Sequence, residues 1–309
     1  MGTVFNLSFT TFQPSTFPMR ITLYSDCFEG STPDESGSGH EEAPQTKGHF
    51  SLDEVTDLKN NSNDLVRPCD IKGILHSHSR YTDGVHPLAS MVDTAQGIGL
   101  EYLGISDHFK SDTHQNGLDL SAARVQRSEI EILRDKFPGF DILQGVELDA
   151  NLDGSLPLDD ETLMIFDYVI VSFPENGGYD RDKLTAQAIK VASNPLVTIL
   201  GRPVGDCILH CQNDNMQMDE VLAAAAEGKT AVEVNANPST LELDWKCCLQ
   251  AQEMGVYMAI SPNAHRAARL VDYRHGAELA HDAGLRCSSI LNTLSSKELR
   301  SYLNGGFTR

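Results

Sequence analysis

Seven short runs rich in β-branched and apolar residues, at about 73–78, 102–107, 141–149, 167–173, 198–203, 231–236 and 257–261, recur along the chain with helical stretches between them. A strand that is followed by a helix and then another strand pairs in parallel, because the helix carries the chain back to the end from which it started. Seven such units around one continuous apolar core favour an α/β fold, a closed or distorted (β/α)7 TIM-like barrel, over an open doubly wound sheet. The open sheet is the second choice, and no Gly-x-Gly-x-x-Gly follows any run to give it a nucleotide site. The intervening helices carry their own marks. Pro87 opens one whose Leu88, Met91, Val92 and Ala95 share a face, Asp219 to Glu227 is helical in composition, and Ser295 and Glu298 are spaced as a capping box for the last.

Residues 1–67 read differently and are expected to form a small, partly flexible extension, with the barrel occupying 68–309. An opening alternation (Val4, Leu7, Phe9, Phe12, then Met19, Ile21, Leu23) suggests a strand pair interrupted by Pro14 and Pro18. The stretch from Glu29 to Gly39 is too polar and glycine-rich to bury anything and reads as a linker. At 309 residues and 40% hydrophobic content, one large barrel with an appendage has enough apolar mass for its core. No window approaches the roughly 20 consecutive apolar residues of a membrane span, and the N-terminus lacks the basic start and apolar run of a secretory signal, so a soluble cytoplasmic protein without membrane contact is expected. Seven cysteines include no C-x-x-C pair, which argues against a zinc knuckle and for reduced thiols. The formal charge is −20, from 24 Lys and Arg against 44 Asp and Glu, and it repels a phosphate backbone. Direct binding of duplex DNA by this chain alone is therefore disfavoured.

Chemistry concentrates at the ends of the predicted strands. In Ile74-Leu-His-Ser-His78 two histidines stand two residues apart, so that on a strand both project from one face and can grip one cation. By itself this is a weak signal in a chain with 11 histidines. An isolated Glu147 would be a solvated strand-end carboxylate, and an isolated His108 a hydrogen-bonded loop residue. But Tyr81-Thr-Asp-Gly84 follows the first run, Ile105-Ser-Asp-His108 ends the second and Gly145-Val-Glu147 ends the third, where barrel active sites lie. His86, His114 and His210 fall in predicted loops and receive no role. Trp245, Leu249 and Gln252 sit at helical spacing and read as packing.

Asp70-Ile-Lys-Gly-Ile-Leu-His-Ser-His-Ser-Arg-Tyr-Thr-Asp-Gly84 resembles the first motif of the polymerase-and-histidinol-phosphatase domain, and Ile105-Ser-Asp-His-Phe-Lys-Ser111 its second. Asp167-Tyr-Val-Ile-Val-Ser172, Asn194 to Gly201, Val232-Glu-Val-Asn-Ala-Asn-Pro238 and Leu291-Asn-Thr-Leu294 are similar to the version found behind family-X DNA polymerases. The resemblance covers about residues 68–305 and includes no complete polymerase module. It implies a barrel that holds up to three divalent ions, zinc or manganese, and hydrolyses phosphoesters. Position by position it implies His76, His78 and Glu147 as ligands of a first ion, and Asp83, His108 and His265 as ligands of a third.

Three family positions are changed. Phe173-Pro174 stands where Ser-x-His has its imidazole, Gly201-Arg202-Pro203 where Gly-His-Pro is usual, and Asn263-Ala264-His265 where Asp-Ala-His is usual. The resemblance then implies one or two ions rather than three, with His76, His78, Glu147 and Arg202 in catalytic roles and a weakened ligand at Asn263. Lys110 and Arg202 are placed to meet a substrate phosphate; for Arg202, an ion pair with Glu147 or Asp206 is the equal alternative. Two functions are open: a divergent metal-dependent phosphoesterase acting on a nucleotide, a nucleic-acid end or a small phosphate ester, and a catalytically impaired barrel serving as an interaction or regulatory subunit of a nucleic-acid-processing complex. Limited proteolysis is expected to cut first within 27–48, whose composition offers no apolar face to offset the entropy of ordering. A protected segment whose deletion unfolds the barrel would move the boundary.

Overall fold

The computed structural model describes residues 64–173, 181–201, 216–236 and 245–306. Seven parallel strands follow one another in sequence order: β1 (Gly73–Ile74), β2 (Tyr102–Ile105), β3 (Asp141–Asp149), β4 (Tyr168–Ser172), β5 (Ile199–Leu200), β6 (Ala231–Asn235) and β7 (Met258–Ser261). Between and after them run α1 (Leu88–Gly97), α2 (Leu120–Lys136), α3 (Asp160–Leu163), α4 (Arg181–Ala192), α5 (Met218–Gly228), α6 (Trp245–Glu253), α7 (Tyr273–Asp282) and α8 (Ser296–Gly306). The strands form a nearly closed (β/α)7 barrel. Among the described residues, no helix is long and apolar enough to cross a membrane.

Two apolar layers explain why the strands read as nearly unbroken hydrophobic runs. Outward-facing Ile74, Leu103, Ile142, Val169 and Val232 pack against helix faces such as Leu88, Met91, Val92 and Ala95 of α1. The alternate residues Leu75, Tyr102, Leu143, Tyr168 and Ile199 form a second cluster inside the barrel, floored by Leu299 and Leu303 of α8. The two tyrosine rings fit only because their neighbours are glycines: a Cβ on Gly104 or Gly145 would collide with Tyr168, and one on Gly73 with Tyr102. Ser295 and Glu298 form the capping box of α8, with Ser295 N donating to Glu298 Oε2 at 2.9 Å and Glu298 N to Ser295 Oγ at 3.4 Å. Arg300 of the same helix grips Asp141 at the start of β3 with Nε at 2.6 Å and Nη2 at 2.5 Å, which fixes the floor to the sheet.

β1 and β7 do not pair as strands, and Asn292 fills the gap. Its Nδ2 donates to Gly73 O at 2.9 Å and to Ile260 O at 3.0 Å, while its Oδ1 accepts from Ile260 N at 2.7 Å. One fully buried amide thus stands in for a missing strand. The first run is shorter than its sequence suggests. Beyond Ile74 the chain leaves the sheet and is held by single contacts, His78 N to Ala264 O at 3.0 Å and Ser106 N to Ser77 O at 2.8 Å, as it bends over the barrel mouth. The fifth is also shorter than 198–203, and Arg202 and Pro203 lie outside the described residues.

At the other end of the barrel, Val66 is buried and donates to Leu285 O at 2.9 Å. Everything before residue 64, including the expected strand pair, the linker and the 27–48 segment, lies outside the described residues. Cys69 and Cys287 are free thiols.

Replacing Asn292 with Ala would leave Gly73 O, Ile260 O and Ile260 N buried without these partners, at roughly 1–3 kcal/mol per group. Asn292→Ala is expected to lower unfolding stability by at least ~3 kcal/mol in urea titration; a loss below ~1 kcal/mol would mean the barrel closes by other means.

Candidate metal centre

Strand register aims the acids. Gly145 faces Tyr168 inside the barrel, so Glu147, two residues on, points inward at the carboxyl end of β3. Ala231 likewise belongs to the interior cluster, and Glu233 follows it on the same face of β6. Both carboxylates are buried, with 6% and 3% exposure, and a buried carboxylate needs a compensating positive group. His76 lies between them, with Nδ1 2.5 Å from Glu233 Oε1 and Nε2 3.1 Å from Glu147 Oε2. Burial alone would lower the pKa of His76, but Glu233 and Glu147 outweigh it and hold the ring up at about 10. Burial would raise Glu147, yet His76 and the neighbouring imidazoles keep it well below the usual carboxylate range. Ser172 of β4 completes its surroundings by donating to Oε1 at 2.6 Å.

His78, His108 and His265 surround the outer part of the site. The His78 ring stacks on His108 with centroids 4.6 Å apart and on His265 at 4.2 Å. Asp83, carried on the turn after His78, lies 3.0 Å from His265 Nε2 and 3.7 Å from His108 Nε2. Burial would push the Asp83 carboxyl up, but the hydrogen bond from His265 and the charge of His78 turn the shift downward. For His265 the Asp83 bond overcomes burial and raises the ring, whereas burial lowers His108 and, far more, His78.

Asn263, in the left-handed region at φ 45°, accepts from His78 Nε2 through Oδ1 at 3.0 Å. That bond leaves His78 Nδ1 as the lone-pair nitrogen of a neutral ring. It is fully buried, lacks a hydrogen-bond partner among the described residues and lies 3.7 Å from Asp83 Oδ1.

Two donor groups result, His76 with His78 and Glu147, and His78 with Asp83, His108 and His265, the ligand atoms of each lying within 4.8 Å of one another. Neutral imidazole and carboxylate donors suit zinc or manganese, and an orphaned ring nitrogen directed among them is what a cation would satisfy. The sequence reading separates the six residues into two triplets; the structure makes His78 common to both. Pro174, Arg202, Asp206 and His210 lie outside the described residues. Lys110 is exposed in the loop after His108, and His86 accepts from Ala267 N at 3.3 Å. Leu249 is buried and Gln252 Oε1 accepts from Arg286 N at 2.7 Å, both in packing roles.

Sequence reasoning missed three participants. Glu233 stood in a quoted motif without a role; strand alternation with inward Ala231 was the available signal. Asp107, buried beside His108, accepts from Ser79, Thr82 and Gln126. His114, given no role, stacks on His108 at 3.6 Å and sits 3.6 Å from Asp149 Oδ2; no local pattern marked it.

Imidazoles and carboxylates converging on the carboxyl ends of seven parallel strands define a barrel with a divalent-metal donor set. Comparison with known proteins gives that class a family. The chain is 31% identical over 240 residues to the DNA polymerase/3′-5′ exonuclease PolX of Bacillus subtilis (strain 168), a match that takes in 78% of this chain and spans only 42% of the length of that relative. It is 26% identical over 246 residues to a probable phosphatase of Thermoanaerobacter sp. (strain X514), covering 75% of this chain and 95% of that protein. In fold it resembles the histidinol phosphate phosphatase of Lactococcus lactis subsp. lactis Il1403, solved with zinc, L-histidinol and phosphate, at a TM-score of 0.51 and 20% identity over 68% of this chain and 93% of that one. No protein-family profile matches the sequence. The chain belongs to the polymerase-and-histidinol-phosphatase family.

The raised His76 makes a pH-dependent prediction. Its folded pKa of about 10 exceeds the unfolded value near 6.5, so the stability it contributes is complete below about 6.5 and is lost as pH rises towards 10. In chelator-treated protein, the stability advantage of the natural chain over Glu233→Gln should be greatest near pH 6 and shrink by pH 10. A difference independent of pH in urea titrations would show that Glu233 does not hold the His76 proton.

Proposed function

We propose that this chain is a metal-dependent phosphoesterase, acting on a nucleotide, a nucleic-acid end or a small phosphate ester. The observation that carries the reading is the pair of donor groups, one of them fully buried, that share His78 at the barrel mouth. The probable phosphatases among its relatives support it, as does the 95% of the Thermoanaerobacter protein that the chain spans. The net charge of −20 favours a small ester over duplex DNA.

A divalent ion held by these residues would lower the pKa of a bound water and offset the charge of the phosphate. For binding to occur, His76 must give up its proton, and Glu233 then fixes the ring through Nδ1 with Nε2 directed to the site. His78 presents Nδ1, because Asn263 holds Nε2. Glu147 supplies the carboxylate between the two groups and is oriented by Ser172. Lys110 is proposed to meet the phosphate from the rim. The same role for Arg202 rests on sequence alone. The second reading, an impaired barrel acting as an interaction subunit, is favoured by one contact: the amide that stands where the family has a carboxylate ligand is bonded to His78.

Hydrolysis of p-nitrophenyl phosphate with added Mn²⁺ or Zn²⁺ distinguishes the two. Activity that falls to background in His76→Ala with His78→Ala supports the phosphoesterase; no turnover in the natural chain, with metal bound, supports the interaction subunit. Elemental analysis should find at most two ions per chain, and Pro174→His, Arg202→His and Asn263→Asp together should raise both metal content and rate. Three ions in the natural chain, or no gain in the restored one, would show that other residues bind the metal.

A further inference from the structure

Asp83 is the most exposed member of the donor cluster, with 48% of its side chain accessible, and it sits on a turn rather than on a strand. Its carboxylate can converge with His108 and His265 only if that turn is held. The restraint is visible one layer beneath. Asp107 has no exposed surface, and both oxygens of its carboxylate are used. Oδ1 accepts from Ser79 N at 2.7 Å and from Thr82 Oγ1 at 2.6 Å. Oδ2 accepts from Ser79 Oγ at 2.5 Å and from Gln126 Nε2 of α2 at 2.6 Å. Gln126 is held in turn by Gln144 of β3, whose Nε2 donates to Gln126 Oε1 at 2.8 Å.

The turn therefore hangs from β2, α2 and β3 through one side chain. Thr82 Oγ1 lies 2.6 Å from Asp107 Oδ1 and 3.2 Å from Asp83 Oδ1, immediately beside the residue being positioned. Asp107 also precedes His108, and its carbonyl accepts from Glu147 N at 3.2 Å.

We infer that Asp107 is a positioning residue, a carboxylate clamp that holds the turn from Ser79 to Gly84 so that Asp83 and His108 present a preformed donor group to a divalent cation. The inference rests on the metal-dependent reading above. A carboxylate is required because N–H donors reach both oxygens: the Ser79 backbone N–H cannot reverse its role, and Gln126 keeps its Nε2 towards Asp107 because its Oε1 accepts from Gln144, which is itself tied to Ala123 O. An amide has one acceptor oxygen, and its nitrogen would face an N–H on one side. Without the clamp, the entropy of ordering the turn is charged against metal binding instead of folding.

Cobalt(II) titration of chelator-stripped protein, followed by visible absorption, reads the donor group without reference to activity. Asp107→Asn is expected to weaken cobalt binding by about 10- to 100-fold, the usual range for groups that orient ligands. Asp107→Asn combined with Gln126→Glu should recover most of that loss, because the new amide can then donate to the new carboxylate while Gln144 still finds an acceptor. Asp141→Asn, at the opposite end of the barrel, should lower the unfolding temperature and leave cobalt affinity unchanged. If Asp107→Asn does not fold, Thr82→Val removes one contact of the clamp and should weaken cobalt binding several-fold. Unaltered cobalt affinity in Asp107→Asn, or in Thr82→Val where that is the variant that folds, overturns the role of Asp107. An absence of cobalt binding in the natural chain overturns the metal-dependent reading itself.

Discussion

Glu147 is a carboxylate held almost entirely out of water, and a charge in that position persists only beside opposite charge and directed hydrogen bonds. His76, His78, His108 and Ser172 are all oriented towards it. With Glu233 behind His76, the innermost layer holds two carboxylates against an imidazole kept protonated between them. A divalent cation can take over the role of that proton, since it too is a positive charge between carboxylates and imidazoles. The same local demand for charge thus makes the barrel mouth stable as a proton-bearing network and suited to metal.

That arrangement exists because the sheet curls until its strand ends meet. Residues separated by 71 positions, such as His76 and Glu147, or by 157, such as His76 and Glu233, become neighbours only at the mouth of a nearly closed barrel. Asn292 helps to allow this, since its amide satisfies backbone groups on β1 and β7 that no strand pairs. The interior tyrosines set the width. Tyr168 fills the space left by Gly104 and Gly145, and its Oη bonds to Leu75 O, just before His76.

His78 is shared by the two donor groups. The Asn263 amide oxygen engages His78 Nε2, which leaves the other ring nitrogen 3.7 Å from Asp83 Oδ1. A single neutral side chain thus sets which nitrogen of a neighbouring imidazole is available.

The strand–helix period, the apolar face of α1, the helix at 219–227 and the capping box of α8 were legible in the sequence, because each depends on residues within a few positions of one another. So was the placement of His76, His78, Asp83, His108, Glu147 and His265 at strand ends, where a parallel barrel gathers its chemistry. The lengths of β1 and β5, the closing role of Asn292, the proton held by His76, the clamp at Asp107 and the stacking of His114 on His108 were not. Each of these depends on contacts between segments far apart in sequence, made through buried polar groups whose energy changes with every neighbour. Local pattern determined the class of barrel and the kinds of side chain at its mouth; only the closed sheet decided which nitrogen, which oxygen and which turn would meet there, because hydrogen bonding and charge compensation act through space rather than along the chain.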